Sequence, residues 1–162
     1  MIEAGTLLQN RYRVEKKIGQ GGMGAVYEAE DTQRFGKKVA LKEILFNLTE
    51  KNSEHFRRAF EREAKILTQI DHEAVPKVIG YILETDFQIL VMELIKGEDL
   101  DEILEREKKP FSLKEVVGWT DQLLDALDYL HTLKQPIIHR DIKPQNLKLT
   151  KRGKIKLLDF GI

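Results

Sequence analysis

The 162-residue chain contains no cysteine and only one tryptophan, and it lacks any long uninterrupted apolar run. Without cysteine it can form no disulfide, no thiolate nucleophile and no cysteine-bound metal site, so a reducing compartment suits it. No stretch is long enough to cross a bilayer, and residues 1–5 have neither the basic region nor the apolar run of a signal peptide. We therefore expect a cytoplasmic location and no membrane segment.

The charge balance excludes a further class of function. Twenty-seven basic and 27 acidic residues give a net charge of zero, which argues against a nucleic-acid surface or an anchor to anionic lipid. A composition of 41% hydrophobic and 33% charged residues is ordinary for a folded domain, and a chain of this length can bury a core.

The first part of the chain has the pattern of strands around one helix. Alternating and β-branched segments predict strands at residues 11–18, 25–31, 37–44, 77–84 and 88–94, with a turn at Thr85-Asp86 joining the last two. Apolar residues at helical spacing predict an amphipathic helix over 53–70, with Phe56, Phe60, Leu67 and Ile70 on its buried face.

Helices dominate the later part. Residues 99–107 predict a short charged helix, and 112–131 a long one that opens with a capping box from Ser112 to Glu115. The side of the long helix that we expect to be buried carries Leu113, Val116, Val117, Leu123, Leu124, Leu127 and Leu130. With Gly97 marking the change of character, we divide the chain into domains at residues 1–95 and 96–162.

A glycine cluster at residues 19–24 has three interpretations. Glycines let backbone N–H groups approach phosphate oxygens, but such runs are also plain turns or dinucleotide-binding loops. A dinucleotide-binding loop requires a helix directly after the glycines. Residues 25–29 instead continue as a strand, which favours a phosphate-covering hairpin.

One charged position on the first predicted helix needs a partner. Glu63 fills a gap in the apolar series, and a buried carboxylate is costly unless it is paired. Lys42, at the end of the apolar segment 39–42, is the obvious cation. Glu61 falls on the solvent side of the same helix. The alternative is that Glu63 is a solvated residue at the edge of the stripe.

The segment 139–146 reads His-Arg-Asp-Ile-Lys-Pro-Gln-Asn and is followed by Asp159-Phe160-Gly161. It supplies carboxylates, an amide and a lysine in the order that phosphoryl transfer from ATP uses. With these motifs the chain resembles the eukaryotic-like, bacterial-type serine/threonine protein kinases over residues 11–162. The resemblance implies an α+β, protein-kinase-like fold with an antiparallel β-sheet small lobe carrying one αC helix, and a truncated, mainly helical large lobe.

The resemblance also implies roles for the charged residues. Lys42, with Glu63 as its partner, would bind the α- and β-phosphates, and Asp141 would orient the attacking hydroxyl. Lys143 would neutralise charge on the γ-phosphate. The metal, Mg²⁺ with Mn²⁺ as an alternative, would be held by Asn146 and Asp159. His139 is predicted to be structural.

For adenosine, the resemblance makes Met92 the gatekeeper, with backbone groups of Glu93 and Ile95 on the adenine edge. Asp99 would meet the ribose, with Glu98 as second choice. Lys148 stands where kinases usually place an apolar residue under adenine, so its stem would pack there while its ammonium reaches water. The other residues implied in nucleotide binding are Gly19, Gly21, Gly22, Gly24, Val26 and Ala40. Equally open is a role for Glu98, Asp99 and Asp101 as favourable charges at a helix N-terminus.

The predicted function is a serine/threonine protein kinase that transfers the ATP γ-phosphate to protein hydroxyls. The alternatives are a non-catalytic nucleotide-binding module or pseudokinase scaffold, and a small-molecule phosphotransferase, a class that generally lacks a pair like Lys143-Pro144. Because the chain ends just after Gly161, we expect negligible turnover from it alone and exposed apolar surface on the helix at 112–131.

Overall fold

The computed structural model describes residues 2–21, 24–44, 53–84 and 88–159. The chain forms two compact units, one of Met1–Gln69 with Lys77–Leu94 and one of Ile70–Pro76 with Ile95–Ile162. The second unit thus takes in a segment, Ile70–Pro76, that the sequence-based division places with the first.

The first unit is a six-stranded antiparallel sheet with one helix. Its strands follow the order β1-β2-β3-β4-β6-β5, and its elements are β1 (Leu7–Leu8), β2 (Tyr12–Gly21), β3 (Gly24–Asp31), β4 (Lys37–Ile44), α1 (Ser53–Leu67), β5 (Val78–Leu83) and β6 (Gln88–Glu93). The five predicted strands and the helix are confirmed, although α1 ends three positions early. The short β1 was not predicted, and the predicted turn at 85–86 lies outside the described residues.

Alternation along β3 and β4 separates two faces of this sheet. Ala25, Tyr27 and Leu41 point into the buried core, because successive side chains of a strand project to opposite sides. Val26 and Lys42, one position along, are half-buried on the other face. The residues that we assign to nucleotide binding on these strands belong to that second face.

The prediction that Glu63 is buried is wrong. The buried stripe of α1 is Phe60, Ala64 and Leu67, and Glu63 is exposed. Ala64 occupies the central position of the stripe, where the spacing predicts Glu63, and Ile70 lies beyond the helix end and does not define its face. Glu61 is half-buried instead, and its carboxylate accepts hydrogen bonds from the Tyr81 hydroxyl at 3.2 Å and from Lys65 at 2.8 Å.

The second unit combines helices with a small sheet. Its elements are β7 (Gly97–Asp99), α2 (Leu100–Glu107), α3 (Leu113–Thr132), a 3-10 helix (Pro144–Asn146), β8 (Leu147–Thr150) and β9 (Ile155–Leu157). The antiparallel sheet has the order β7-β8-β9 and was not predicted. Within the described ranges, none of the helices has the length and apolarity that a bilayer span needs.

Helix α3 begins as predicted, with Ser112 and Glu115 forming a capping box in which the Glu115 N–H donates to Ser112 Oγ at 3.3 Å. The predicted buried side is largely wrong. Ala126 and Leu130 are buried, whereas Leu113, Val117 and Leu124 are 79%, 59% and 59% exposed. The described contacts of α3 within its unit include the Trp119 ring against the Phe111 ring, 4.8 Å between centroids, and Gln122 Oε1, which accepts from the Ile155 N–H at 3.1 Å. The expectation that this helix exposes apolar surface is confirmed.

Candidate active site

The glycine cluster lies at the tip of a β-hairpin. β2 and β3 remain paired out to Gly21 and Gly24, and β3 continues from the glycines as a strand. Gly24 has φ +147°, and a Cβ on it would lie 1.8 Å from the Glu43 carbonyl oxygen, so only glycine fits there. A Cβ at Gly21 would meet nothing within 4 Å. Gly22, also assigned to the nucleotide, lies outside the described residues.

Strand register sets the predicted lysine beside this hairpin. Gly19 pairs with Val26, and Val26 with Lys42. Residues directly opposite each other in an antiparallel pair project their side chains to the same face, so Val26 and Lys42 lie side by side. Ala40, two residues before Lys42, is half-buried on that same face and pairs with Met92 on β6.

The residues predicted to surround adenine lie at the end of β6 and just after it. Met92 is buried. Glu93 is half-buried, and its N–H donates to the Lys77 carbonyl at 2.8 Å, which fixes the course of the backbone there. Ile95, which starts the later segment of the second unit, is also half-buried.

Three of the predicted catalytic-loop residues are in contact. The Lys143 ammonium lies 2.7 Å from Asp141 Oδ2, and Asn146 Nδ2 donates to the same oxygen at 2.9 Å and to the Asp141 carbonyl at 2.8 Å. These hydrogen bonds, that from Lys143 first and that from Asn146 second, hold the pKa of Asp141 below its ordinary value. The carboxylate is therefore ionised and held in one orientation.

His139 stabilises this loop through hydrogen bonds to backbone groups. It is buried, and its Nε2 lies 2.8 Å from the Leu158 carbonyl oxygen, which can only accept, so Nε2 carries the proton. Nδ1 is then the acceptor for the Asp141 N–H at 3.4 Å. The imidazole thus links the backbone at Asp141 to the residue before Asp159, as a structural histidine would.

The backbone at both ends of this link is in the left-handed region. Arg140 has φ +68° and Asp159 has φ +58°. Such conformations are uncommon for residues other than glycine, and they concentrate at functional sites. Asp159 is exposed, and the Phe160 and Gly161 that follow it lie outside the described residues.

The two residues predicted to hold the metal, Asn146 and Asp159, carry oxygen donors. Asn146 uses its amide nitrogen on Asp141, which leaves the amide oxygen as its remaining polar side-chain atom. Asp159 adds a carboxylate. Mg²⁺ is typically held by one or two such oxygens together with substrate phosphates, so this donor set fits it. No group of three histidine, cysteine, aspartate or glutamate side chains suited to a metal occurs in the described part of the chain.

The two residues that we assign to ribose and to the floor of the adenine site are paired with each other. Lys148 Nζ lies 3.3 Å from Asp99 Oδ1, with the side chains 20% and 23% exposed. The sequence did not predict that a carboxylate engages the Lys148 ammonium. Burial, the largest influence, raises the pKa of Asp99, and Lys148 opposes that rise. Asp99 also precedes α2 as its N-cap, whereas the exposed Glu98 pairs with Arg106.

A glycine hairpin beside a strand lysine, and an Asp–Lys–Asn loop followed by a second aspartate, are features that define the protein-kinase class of fold. The sequence-family model of the protein kinase domain matches residues 12–162 of this chain. This chain belongs to the protein kinase family.

Curated relatives of this chain include bacterial serine/threonine-protein kinases. The chain is 34% identical to the probable serine/threonine-protein kinase PknB of Lactococcus lactis, over 100% of this chain and 25% of that protein. It is 35% identical to the serine/threonine-protein kinase PrkC of Bacillus subtilis, over 98% of this chain and 24% of the relative. The chain thus spans about a quarter of the length of these relatives.

A solved structure supports the fold. The chain matches the structure titled "PpkA-294 apo form" with a TM-score of 0.82 at 22% identity, over 99% of this chain and 62% of the other.

Proposed function

We propose that this chain is the nucleotide- and metal-binding part of a serine/threonine protein kinase that transfers the γ-phosphate of ATP to protein hydroxyls. The observation that carries the proposal is the contact of Asp141 with Lys143 and Asn146. In this arrangement one carboxylate is ionised and oriented by a cation and by the amide N–H of Asn146. Such a set can hold a hydroxyl, a phosphate and a metal in mutual range.

The residues of the loop have different tasks in this proposal. Asp141 accepts a hydrogen bond from the incoming hydroxyl and aligns it for attack, and Lys143 offsets charge on the transferred phosphoryl group. Mg²⁺ bound through Asn146 and Asp159 would neutralise phosphate charge. A cytoplasmic location, where Mg·ATP is abundant, suits the cysteine-free composition.

The face of the first unit that carries Val26, Ala40 and Lys42 would receive the nucleotide, with the glycine hairpin over its phosphates and Lys42 on the α- and β-phosphates. Glu63 is proposed as the partner of Lys42 in the catalytic state. Since Glu63 is exposed here, that role requires α1 to change its position or rotation before Glu63 can reach Lys42.

The deciding experiment is transfer of radiolabelled γ-phosphate to a mixture of serine- and threonine-containing protein acceptors. It should use the longest natural protein that contains this chain, because the bacterial relatives are about four times as long. We expect label on serine or threonine, reduced about 100-fold or more by Asp141→Asn. Asp125→Asn, which alters a carboxylate that is 80% exposed on α3, is the control and should transfer normally.

Each other outcome assigns a different function. Mg·ATP binding without transfer would identify a non-catalytic module. Label appearing on a small-molecule hydroxyl and not on protein would identify a small-molecule phosphotransferase. Full transfer by the Asp141→Asn protein would refute the catalytic assignment itself.

A further inference from the structure

The ion pair between Asp99 and Lys148 is built into the small sheet of the second unit. The two residues are partners in the β7–β8 ladder, so their side chains project to the same face. Gly97 allows the strands this approach, because a Cβ there would lie 2.2 Å from the Leu149 carbonyl oxygen. Both side chains of the pair are largely buried, which distinguishes it from the exposed pairs of the surface.

One oxygen of the Asp99 carboxylate, Oδ1, depends on Lys148 for its partner. Oδ1 is buried and accepts no well-aligned hydrogen bond within the described part of the chain; the ammonium of Lys148 lies 3.3 Å from it. The other charges that act on Asp99 are the carboxylates of Glu102 and Asp159. A carboxylate that is both buried and surrounded by like charge is costly without a cation, and Lys148 is the cation beside it.

We propose that Lys148 is a positioning residue for the nucleotide ribose: its ammonium, beside Oδ1, holds the Asp99 carboxylate in the orientation in which it accepts hydrogen bonds from the ribose hydroxyls. This inference rests on the proposed function, in which Asp99 meets the ribose. Lys148 acts through Asp99 and touches no reacting atom. An apolar residue at position 148 would pack better against the adenine ring but would leave Asp99 without its cation.

The test compares binding of Mg·ATP with binding of Mg·2′,3′-dideoxy-ATP to the 162-residue chain by calorimetry. A hydrogen bond to a charged group contributes enough that loss of the ribose hydroxyls should weaken binding to the wild type about tenfold. In Lys148→Met this discrimination should fall to about twofold or less. Lys148→Arg keeps the cation and should retain most of it. Lys148→Gln replaces the Met variant if that variant does not fold.

Two further variants separate positioning from general damage. Lys154→Met removes a lysine just before β9 that pairs with Glu73 at 3.6 Å on the surface, and it should keep the full discrimination. Asp99→Asn should lose it, and adding Lys148→Met to Asp99→Asn should change nothing further, because one residue acts through the other.

The outcomes that overturn the inference differ from those that overturn the proposed function. Tenfold discrimination in Lys148→Met, or identical behaviour of the Met and Arg variants, would show that the cation does not position Asp99. Absence of Mg·ATP binding by the folded wild type would refute the proposed function and this inference with it.

Discussion

Asn146 donates both of its side-chain hydrogen bonds to Asp141, at 2.8 Å to the carbonyl and 2.9 Å to the carboxylate. The residue proposed to hold the metal therefore also orients the residue proposed to hold the hydroxyl. Because the 3-10 helix places Asn146 N–H 2.9 Å from the Lys143 carbonyl, the whole loop from 141 to 146 closes on itself. A substitution at Asn146 that keeps a metal-binding oxygen but removes the hydrogen-bond donor should therefore affect hydroxyl positioning more than metal binding.

Asn146→Asp tests that separation. The new carboxylate can still ligate Mg²⁺, but it cannot donate to Asp141 and it repels the neighbouring charge. We expect phosphate transfer to fall about 100-fold or more, while Mg·ATP affinity falls by less than about tenfold. Transfer assays and calorimetry on the same preparation measure both. Retained transfer would mean that the two hydrogen bonds to Asp141 are dispensable.

The glycines of the hairpin should differ sharply in tolerance. Gly24→Ala would force a Cβ to within 1.8 Å of the Glu43 carbonyl at φ +147°, so β3 and β4 must separate locally. We expect a loss of about 2 kcal/mol or more in the free energy of unfolding. Gly21→Ala meets open space and should unfold with wild-type stability. Equal stability of the two variants in denaturant titrations would contradict the hairpin geometry.

The pair formed by Arg11 and Asp31 should make the first unit sensitive to acid. The guanidinium donates to both carboxylate oxygens, at 2.8 and 2.7 Å, and its hydrogen bond is the main reason that the pKa of the buried Asp31 is lowered. A lowered pKa in the folded state stabilises the protein above the ordinary value of 3.8, and this contribution is lost as the pH falls through the folded value.

Asp31→Asn should therefore lower the free energy of unfolding by about 3 kcal/mol at pH 7. The gap from wild type should shrink as the pH falls below about 4. Arg58→Met breaks an exposed pair with Glu54 on α1 and should cost less than about 1 kcal/mol. Urea unfolding across this pH range decides the matter, and a gap that stays constant with pH would speak against the ion pair.

Substitution of Glu63 should affect phosphate transfer and leave stability almost unchanged, and comparison with Glu61 tests which glutamate pairs with Lys42. Glu63→Gln changes an exposed carboxylate, so stability should stay within about 0.5 kcal/mol of wild type. If Glu63 is the partner of Lys42 in the catalytic state, the same variant should lower transfer more than Glu61→Gln does. The reverse ranking in transfer assays would assign the pairing role to Glu61.

Much of the fold could be predicted from local pattern. β3 alternates strictly and β4 alternates up to Glu43, and Ser112 with Glu115 forms the capping box that their spacing predicts. What failed depended on partners distant in sequence. Helical spacing tells which residues share a face but not which part of that face is covered, so the early apolar residues of α3 were wrongly assigned to the core.

The candidate site divides in the same way. The grouping of Asp141, Lys143 and Asn146 could be predicted because the three residues are close in sequence, and the structure has them in contact. The ion pair of Asp99 with Lys148 depends on β7 lying against β8, and neither strand is long enough to give a periodic signal. The predicted burial of Glu63 is wrong because the buried face was inferred from large apolar side chains only. The small side chain of Ala64 was not counted, although it lies at the centre of that face.

The most direct test of the account is a calorimetric titration of the folded 162-residue chain with ATP, with and without Mg²⁺, repeated for Lys42→Ala. Lys42 shares its sheet face with Val26 beside the glycine hairpin, so it should contact the phosphates. We predict one Mg²⁺-dependent site whose affinity falls about tenfold or more in Lys42→Ala. Binding that is absent from well-folded protein, or that is indifferent to Lys42→Ala, would contradict the account.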